Sequence, residues 1–97
     1  MAVLVIELHF PDAGSLKGKR KELSSIKAQL SGRLGVAVAE TGYQDLWQRA
    51  RLTAALTGGS LRRLAAAADE VERWILARCP DGASVERLVA SVEDLRG

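Results

Sequence analysis

Three features of this 97-residue sequence predict an α+β domain with strands and helices in the order βαββα and a last segment that closes the pattern as a strand. The first is a period-two run near the start, where Leu4, Ile6, Leu8 and Phe10 alternate with Val3, Val5, Glu7 and His9. The second is a pair of segments with apolar residues at helical spacing, each preceded by a serine. The third is the presence of two more strand-like runs between those helices. A hairpin set between two crossover helices and flanked by outer strands is the split βαβ arrangement. It gives a four-stranded antiparallel sheet with both helices packed on one face and the other face open.

Val3 to Phe10 reads as a central strand, apolar on one face and turning polar at the far end of the other. Pro11, Asp12, Ala13 and Gly14 break it. Ser15 suits a helix N-cap, and Leu16, Leu23, Ile26, Leu30 and Leu34 follow with the stripe of an amphipathic helix. Gly32 and Gly35 are its candidate terminators. Val36 to Thr41 is a second, alanine-rich strand, and Gly42 through Arg49 is polar and aromatic without a clear period. Ala50 to Thr57 is a third strand, with Ala50, Leu52, Ala54 and Leu56 on one face. Gly58 and Gly59 end it, and Ser60 can cap a second helix striped by Leu61, Leu64, Ala68, Val71 and Ile75. Pro80, Asp81 and Gly82 stop that helix. In residues 84–95 the spacing of Val85, Leu88, Val89, Val92 and Leu95 fits a helix, whereas Leu88, Ala90 and Val92 fit one face of a strand. Period alone does not decide so short a run; the topology favours the strand.

Composition narrows the function classes. Hydrophobic residues make up 47% and charged residues 27%, which is globular composition, and the length suits one domain over residues 1–97. The aromatic share of 4% leaves the core to Val, Leu, Ile and Ala. The longest strongly apolar run, Ala2 to Ile6, falls far short of the ~20 residues of a membrane helix, and no basic region precedes it as in a secretory signal. One cysteine excludes an internal disulfide and a thiolate metal cage, and one histidine excludes a His-rich metal site. The expectation is a soluble cytoplasmic protein with no metal, no cofactor and no membrane contact.

The net charge of +2 is small, but its distribution is uneven. Between Leu16 and Arg33, Lys17, Lys19, Arg20, Lys21, Lys27 and Arg33 face a single acid, Glu22. Cations at a helix start oppose the macrodipole, while the free amides there attract anions. Ser15, Lys17, Lys19, Arg20, Lys21 and Lys27 are therefore candidates to grip a phosphate or a nucleic-acid backbone. The competing reading is a solvated helix face. A second candidate set is Gln44, Asp45, Trp47, Gln48 and Arg49 in the hairpin. Aromatic and amide side chains stack on bases and read their edges, and Trp and Arg also anchor protein interfaces; alternatively Trp47 folds over the hairpin as a local cap. Glu7 and His9 share a face that Glu40 and Arg49 or Arg51 would also occupy, which suggests an ion-paired patch on the open sheet more than a proton-transfer site. Cys79 reads as a small apolar filler and Trp74 as the border of the second helix stripe. No phosphate-loop pattern occurs.

The segment Ser15-Leu16-Lys17-Gly18-Lys19-Arg20, followed by Val38-Ala39-Glu40 and Gln44-Asp45-Leu46-Trp47-Gln48-Arg49, resembles the YlxP-like family, catalogued as domain of unknown function 503. The resemblance spans nearly the whole chain and weakens after about Gly82. It implies a ferredoxin-like βαββαβ fold, a small bacterial cytoplasmic protein, and a gene neighbourhood shared with translation initiation and ribosome-maturation factors. It implies no established activity. Together these readings give a non-enzymatic accessory protein that associates with rRNA or a ribosomal subunit through the basic helix start and the aromatic hairpin. The alternative is a homodimeric protein-interaction or small-ligand-binding module, paired through an open sheet face bearing Val3, Val5 and Ala55.

Overall fold

The computed structural model describes residues 1–12, 14–80 and 82–97. The chain runs β1 (Ala2–His9), α1 (Leu16–Leu34), β2 (Ala37–Gly42), β3 (Arg49–Leu56), α2 (Leu61–Arg78), β4 (Ala83–Val89) and α3 (Val92–Arg96). The strands form one antiparallel sheet in the order β2-β3-β1-β4. This is the ferredoxin-like arrangement, with β1 and β3 at the centre and α1 and α2 on one face.

Strand parity decides the layering. Ala2, Leu4, Ile6 and Leu8 of β1, and Ala50, Leu52, Ala54 and Leu56 of β3, all point under the helices and are buried. Leu23, Ile26 and Leu30 of α1 and Leu64, Ala68, Val71 and Ile75 of α2 complete the core. At roughly 1.5–3 kcal/mol per fully buried aliphatic side chain, this layer is the main source of stability. Trp74, Cys79 and Phe10 pack partly buried against its border.

The boundaries differ from the sequence reading where hydrogen bonds intervene. Gly32 lies inside α1, and Gly35 alone ends it in a left-handed conformation (φ 66°) that a side chain would strain. Val36 is a core residue before β2 rather than its first member. β2 runs on to Gly42 through an irregularity between Glu40 and Gly42. Cys79 is the C-cap of α2. Ala13 and Asp81, assigned above to breaks in the chain, lie outside the described residues. A Cβ on Gly82 would sit 2.7 Å from the Cβ of His9, whose N–H donates to the Gly82 carbonyl at 2.8 Å. That close approach is how the start of β4 reaches the end of β1.

The ambiguous last segment takes both conformations in turn. Its first half pairs with β1 as β4. The second half turns into α3 because Ser91 and Asp94 form a capping box: the Asp94 N–H donates to Ser91 Oγ at 3.1 Å, and the Ser91 N–H donates to Asp94 Oδ2 at 2.9 Å. These bonds hold the Asp94 carboxyl below its ordinary value of 3.8, the backbone bond first and the serine hydroxyl second. A depressed carboxyl contributes its stabilisation in full above the ordinary value and loses it as the pH falls through the folded one. We therefore expect α3 to fray in acid, below about pH 4, while the sheet persists. An NMR titration should find Asp94 titrating below an exposed aspartate, with the helical shifts of residues 92–96 collapsing in step.

Candidate partner site at the lysine-clamped hairpin

Ser15 caps α1 as its residue type suggests, its Oγ accepting from the Gly18 N–H at 3.1 Å. Four residues later comes an anomaly. Lys19 is 1% exposed, and it continues the buried stripe of Leu23, Ile26 and Leu30. Its Nζ donates to the carbonyl of Tyr43 at 2.5 Å and to that of Leu46, and it lies 3.7 Å from Glu40 Oε2. Glu40 sits in β2 opposite Leu52, on the helix-facing side of the sheet. Its buried Oε2 has no hydrogen-bond donor among the described residues, so the lysine charge is what offsets its desolvation. An isolated buried ammonium would cost several kcal/mol. Here that cost is met by two backbone carbonyls and one carboxylate, all belonging to β2 and the loop after it.

The loop is shaped accordingly. Tyr43 has a left-handed backbone (φ 58°), unusual for a residue with a large side chain. Its carbonyl accepts from Lys19 and also from the Leu46 N–H at 3.1 Å. Gln44 Nε2 donates to the Glu40 carbonyl at 3.3 Å, and the Phe10 N–H donates to the Gln48 carbonyl at 2.8 Å, pinning the loop to the end of β1. With the backbone fixed this way, Leu46 is 47% and Trp47 is 49% exposed. Trp47 is thus half-covered and half-open to solvent, with one part of its surface left for a partner. Gln44, Asp45 and Gln48 are exposed beside it.

Two sequence-based assignments change. Lys19 leaves the set of anion-gripping residues, because its ammonium is buried and already engaged. Glu40 does not join Arg49 or Arg51 on the open face; it lies on the other side of the sheet, one parity step away. The open-face patch consists of Glu7, Arg49 and Arg51. Glu7 accepts from Arg51 at 3.0 and 3.2 Å and from Arg49 at 3.4 Å. The Arg49 guanidinium lies 4.2 Å from the centre of the Tyr43 ring and that of Arg51 5.0 Å. Hydrogen bonding to Glu7, opposed by partial burial and helped by Tyr43, raises the Arg51 guanidinium further above its ordinary value. Arg49 remains at the surface but is committed to this cluster.

The remaining basic residues divide by helix face. Glu22 accepts from Arg78 of α2 at 2.8 Å, which marks the flank of α1 turned toward α2. At 100° per residue, Arg20 and Lys27 lie on the opposite flank, on the side of β2 and its loop. Lys17 and Lys21 occupy the exposed back of the helix. The fold therefore brings Arg20 and Lys27 to the hairpin side and leaves Lys17 and Lys21 on a separate outward face.

At the other flank, His9, Glu22, Arg78 and Cys79 border an open cleft of about 380 Å³. Burial pushes the Cys79 thiol up, with Arg78 opposing and Glu22 adding to the shift; such a thiol is a poor nucleophile at neutral pH. Among the described residues no group of His, Cys, Asp and Glu could hold a metal ion, and no helix is long and apolar enough to cross a membrane.

The architecture defines the class: a ferredoxin-like α+β domain whose β2–β3 loop is fastened to its first helix by a buried lysine. Within that class, the chain belongs to the family described as Protein of unknown function (DUF503), whose model matches residues 1–94. It is similar to the uncharacterized protein YlxP of Bacillus subtilis (strain 168), with 39% identity over 74 residues, covering 66% of this chain and 80% of that protein. The lysine clamp joins the two segments that carry the family resemblance, since Lys19 lies in the first and Glu40 and Leu46 in the second.

Removing one member of a buried ion pair strands the other. Lys19→Met should destabilise the fold by about 3 kcal/mol in urea unfolding and raise amide exchange at residues 43–48. Combining it with Glu40→Gln should recover part of the stability but not the exchange protection, because the carbonyls of Tyr43 and Leu46 still lack their donor.

Proposed function

We propose that this protein is a small non-enzymatic cytoplasmic accessory factor that associates with RNA in the setting of the ribosome. The hairpin and the adjoining flank of α1 form the contact surface. The observation that carries this reading is the clamp: a buried lysine of α1 holds the loop in which Trp47 is half-exposed, and the flank of α1 toward β2 carries Arg20 and Lys27. Aromatic side chains beside cations suit single-stranded nucleic acid, because each base offers a face to stack on and each nucleotide a phosphate. The absence of base-stacking aromatics from β1 and β3 points away from the sheet-centred mode of RNA-recognition motifs. The translation-related gene setting implied by the family resemblance supports the same partner class.

Binding of this kind is driven largely by phosphate neutralisation and falls steeply with salt. The direct test is binding of the purified protein to ribosomal subunits and rRNA fragments across a salt series. Replacing Arg20 and Lys27 together by Ala should weaken binding at least tenfold and flatten the salt slope by about 1–2, whereas Lys17 and Lys21, on the outward face, should matter little. Trp47→Ala should cost about 1–3 kcal/mol with the slope unchanged, as expected for lost stacking. Lys19 has no place in this set, since its loss would act through folding. No saturable binding at low salt would overturn the proposal.

A further inference from the structure

The most exposed of the large apolar side chains lie in the first turn of α2, the end of β4 and α3, away from the hairpin loop. Leu61 is 74%, Val89 55%, Val92 61% and Leu95 63% exposed. Leu61 and Val89, with Ala2, Leu64, Ala65 and Ala68, line an apolar groove of about 200 Å³ between the first turns of α2 and the end of β4. Close to it in sequence stands a short amphipathic helix whose apolar side chains stay largely exposed: α3 buries none of its residues. Val92 and Leu95, three positions apart, share one of its faces. Its capping box forms it in advance. The chain leaves β4 in a set direction, because the Ala90 N–H donates to the Met1 carbonyl at 2.9 Å and the Met1 ammonium donates to the Ala90 carbonyl at 2.6 Å.

We infer that α3 is the docking element of a homodimer, with Val92 and Leu95 of each copy seated in the α2–β4 groove of the other. The groove and the helix are self-complementary, so a twofold axis lets each chain fill the other's groove and closes the assembly. Charge agrees with this occupant. Arg87 on the groove wall is already engaged by two carboxylates, Asp69 at 2.9 Å and Glu72 at 2.6 Å, and offers no free cation to a partner. Arg62, on the α2 flank beside Ala65, has no acidic partner among the described residues. The polar side of α3 offers Glu93 to match it. Exchange in both directions doubles the area that one short helix could cover, toward the ~800 Å² per partner of a standard interface. The open sheet face, to which the sequence reading assigned the dimer, is less suited. Its outer end is occupied by the Glu7–Arg49–Arg51–Tyr43 cluster, and Leu88 is its largely exposed apolar side chain. This inference is independent of the RNA reading.

Sedimentation of the intact protein at micromolar concentrations should show a dimer. Leu95→Asp in the exposed helix should raise the dimer dissociation constant at least tenfold with the circular dichroism of the sheet and main helices retained. Leu88→Asp on the open face should leave it unchanged. Arg62→Glu and Glu93→Arg should each weaken the dimer, and the two together should restore it in part. A protein monomeric throughout the range overturns the inference, as does a dimer broken by Leu88→Asp and untouched by Leu95→Asp.

Discussion

The buried ammonium of Lys19 connects the parts of this molecule that the sheet by itself would leave independent. Its stem belongs to the core stripe of α1, and its charge is spent on the carbonyls of Tyr43 and Leu46 and on Glu40. A leucine there would pack against the same neighbours. It would leave the loop carbonyls without a donor and a buried carboxylate oxygen without a counter-charge. The left-handed Tyr43 and the hold of α1 on the loop after β2 go together with where one Nζ finds its partners. In a four-stranded sheet whose edge strand β2 is short and alanine-rich, few apolar side chains are available to do the same.

That constraint divides the surface into two working ends. At one end the clamped loop presents Trp47 and Leu46 to solvent, and the Glu7–Arg49–Arg51–Tyr43 cluster stiffens the neighbouring open face. At the other end the core runs out. β4 is held to α2 through the Arg87 ion pairs, and Val89 and Leu61 are left without cover. A chain of 97 residues has a high ratio of surface to volume, so uncovered apolar groups concentrate where the helices stop short of the strand ends. The proposed RNA contact and the proposed dimer contact lie at opposite ends of the sheet, so a dimer of this kind would leave both hairpins free.

Much of this was legible in the chain. The alternation of Leu4, Ile6 and Leu8 placed β1 correctly, Ser15 and Ser60 marked both helix starts, and the buried stripes of α1 and α2 are largely those read from spacing. The clamp had a signal that charge reading passed over. Lys19 stands four residues before Leu23 in the apolar stripe, and Glu40 stands two after Val38 on the inward parity of β2. Counting Lys19 with Lys17, Arg20 and Lys21 as one basic cluster ignored the 100° that separates successive helix positions. The fate of residues 84–95 was less accessible, because a strand and a helix share the segment and only the Ser91–Asp94 box divides them.

Local rules therefore determined what repeats along the chain: which residues alternate, which cap, and which faces are apolar. These depend on neighbours within a few positions, and the backbone geometry of strands and helices makes them periodic. Only the tertiary structure decided which charge is buried and which is free, because a lysine becomes a clamp through carbonyls 24 and 27 residues away. It also decided that Trp47 is half-exposed and that the last helix buries none of its residues. Those outcomes rest on the distances among separate elements, and the desolvation of a charge or an apolar side chain is set by everything packed around it.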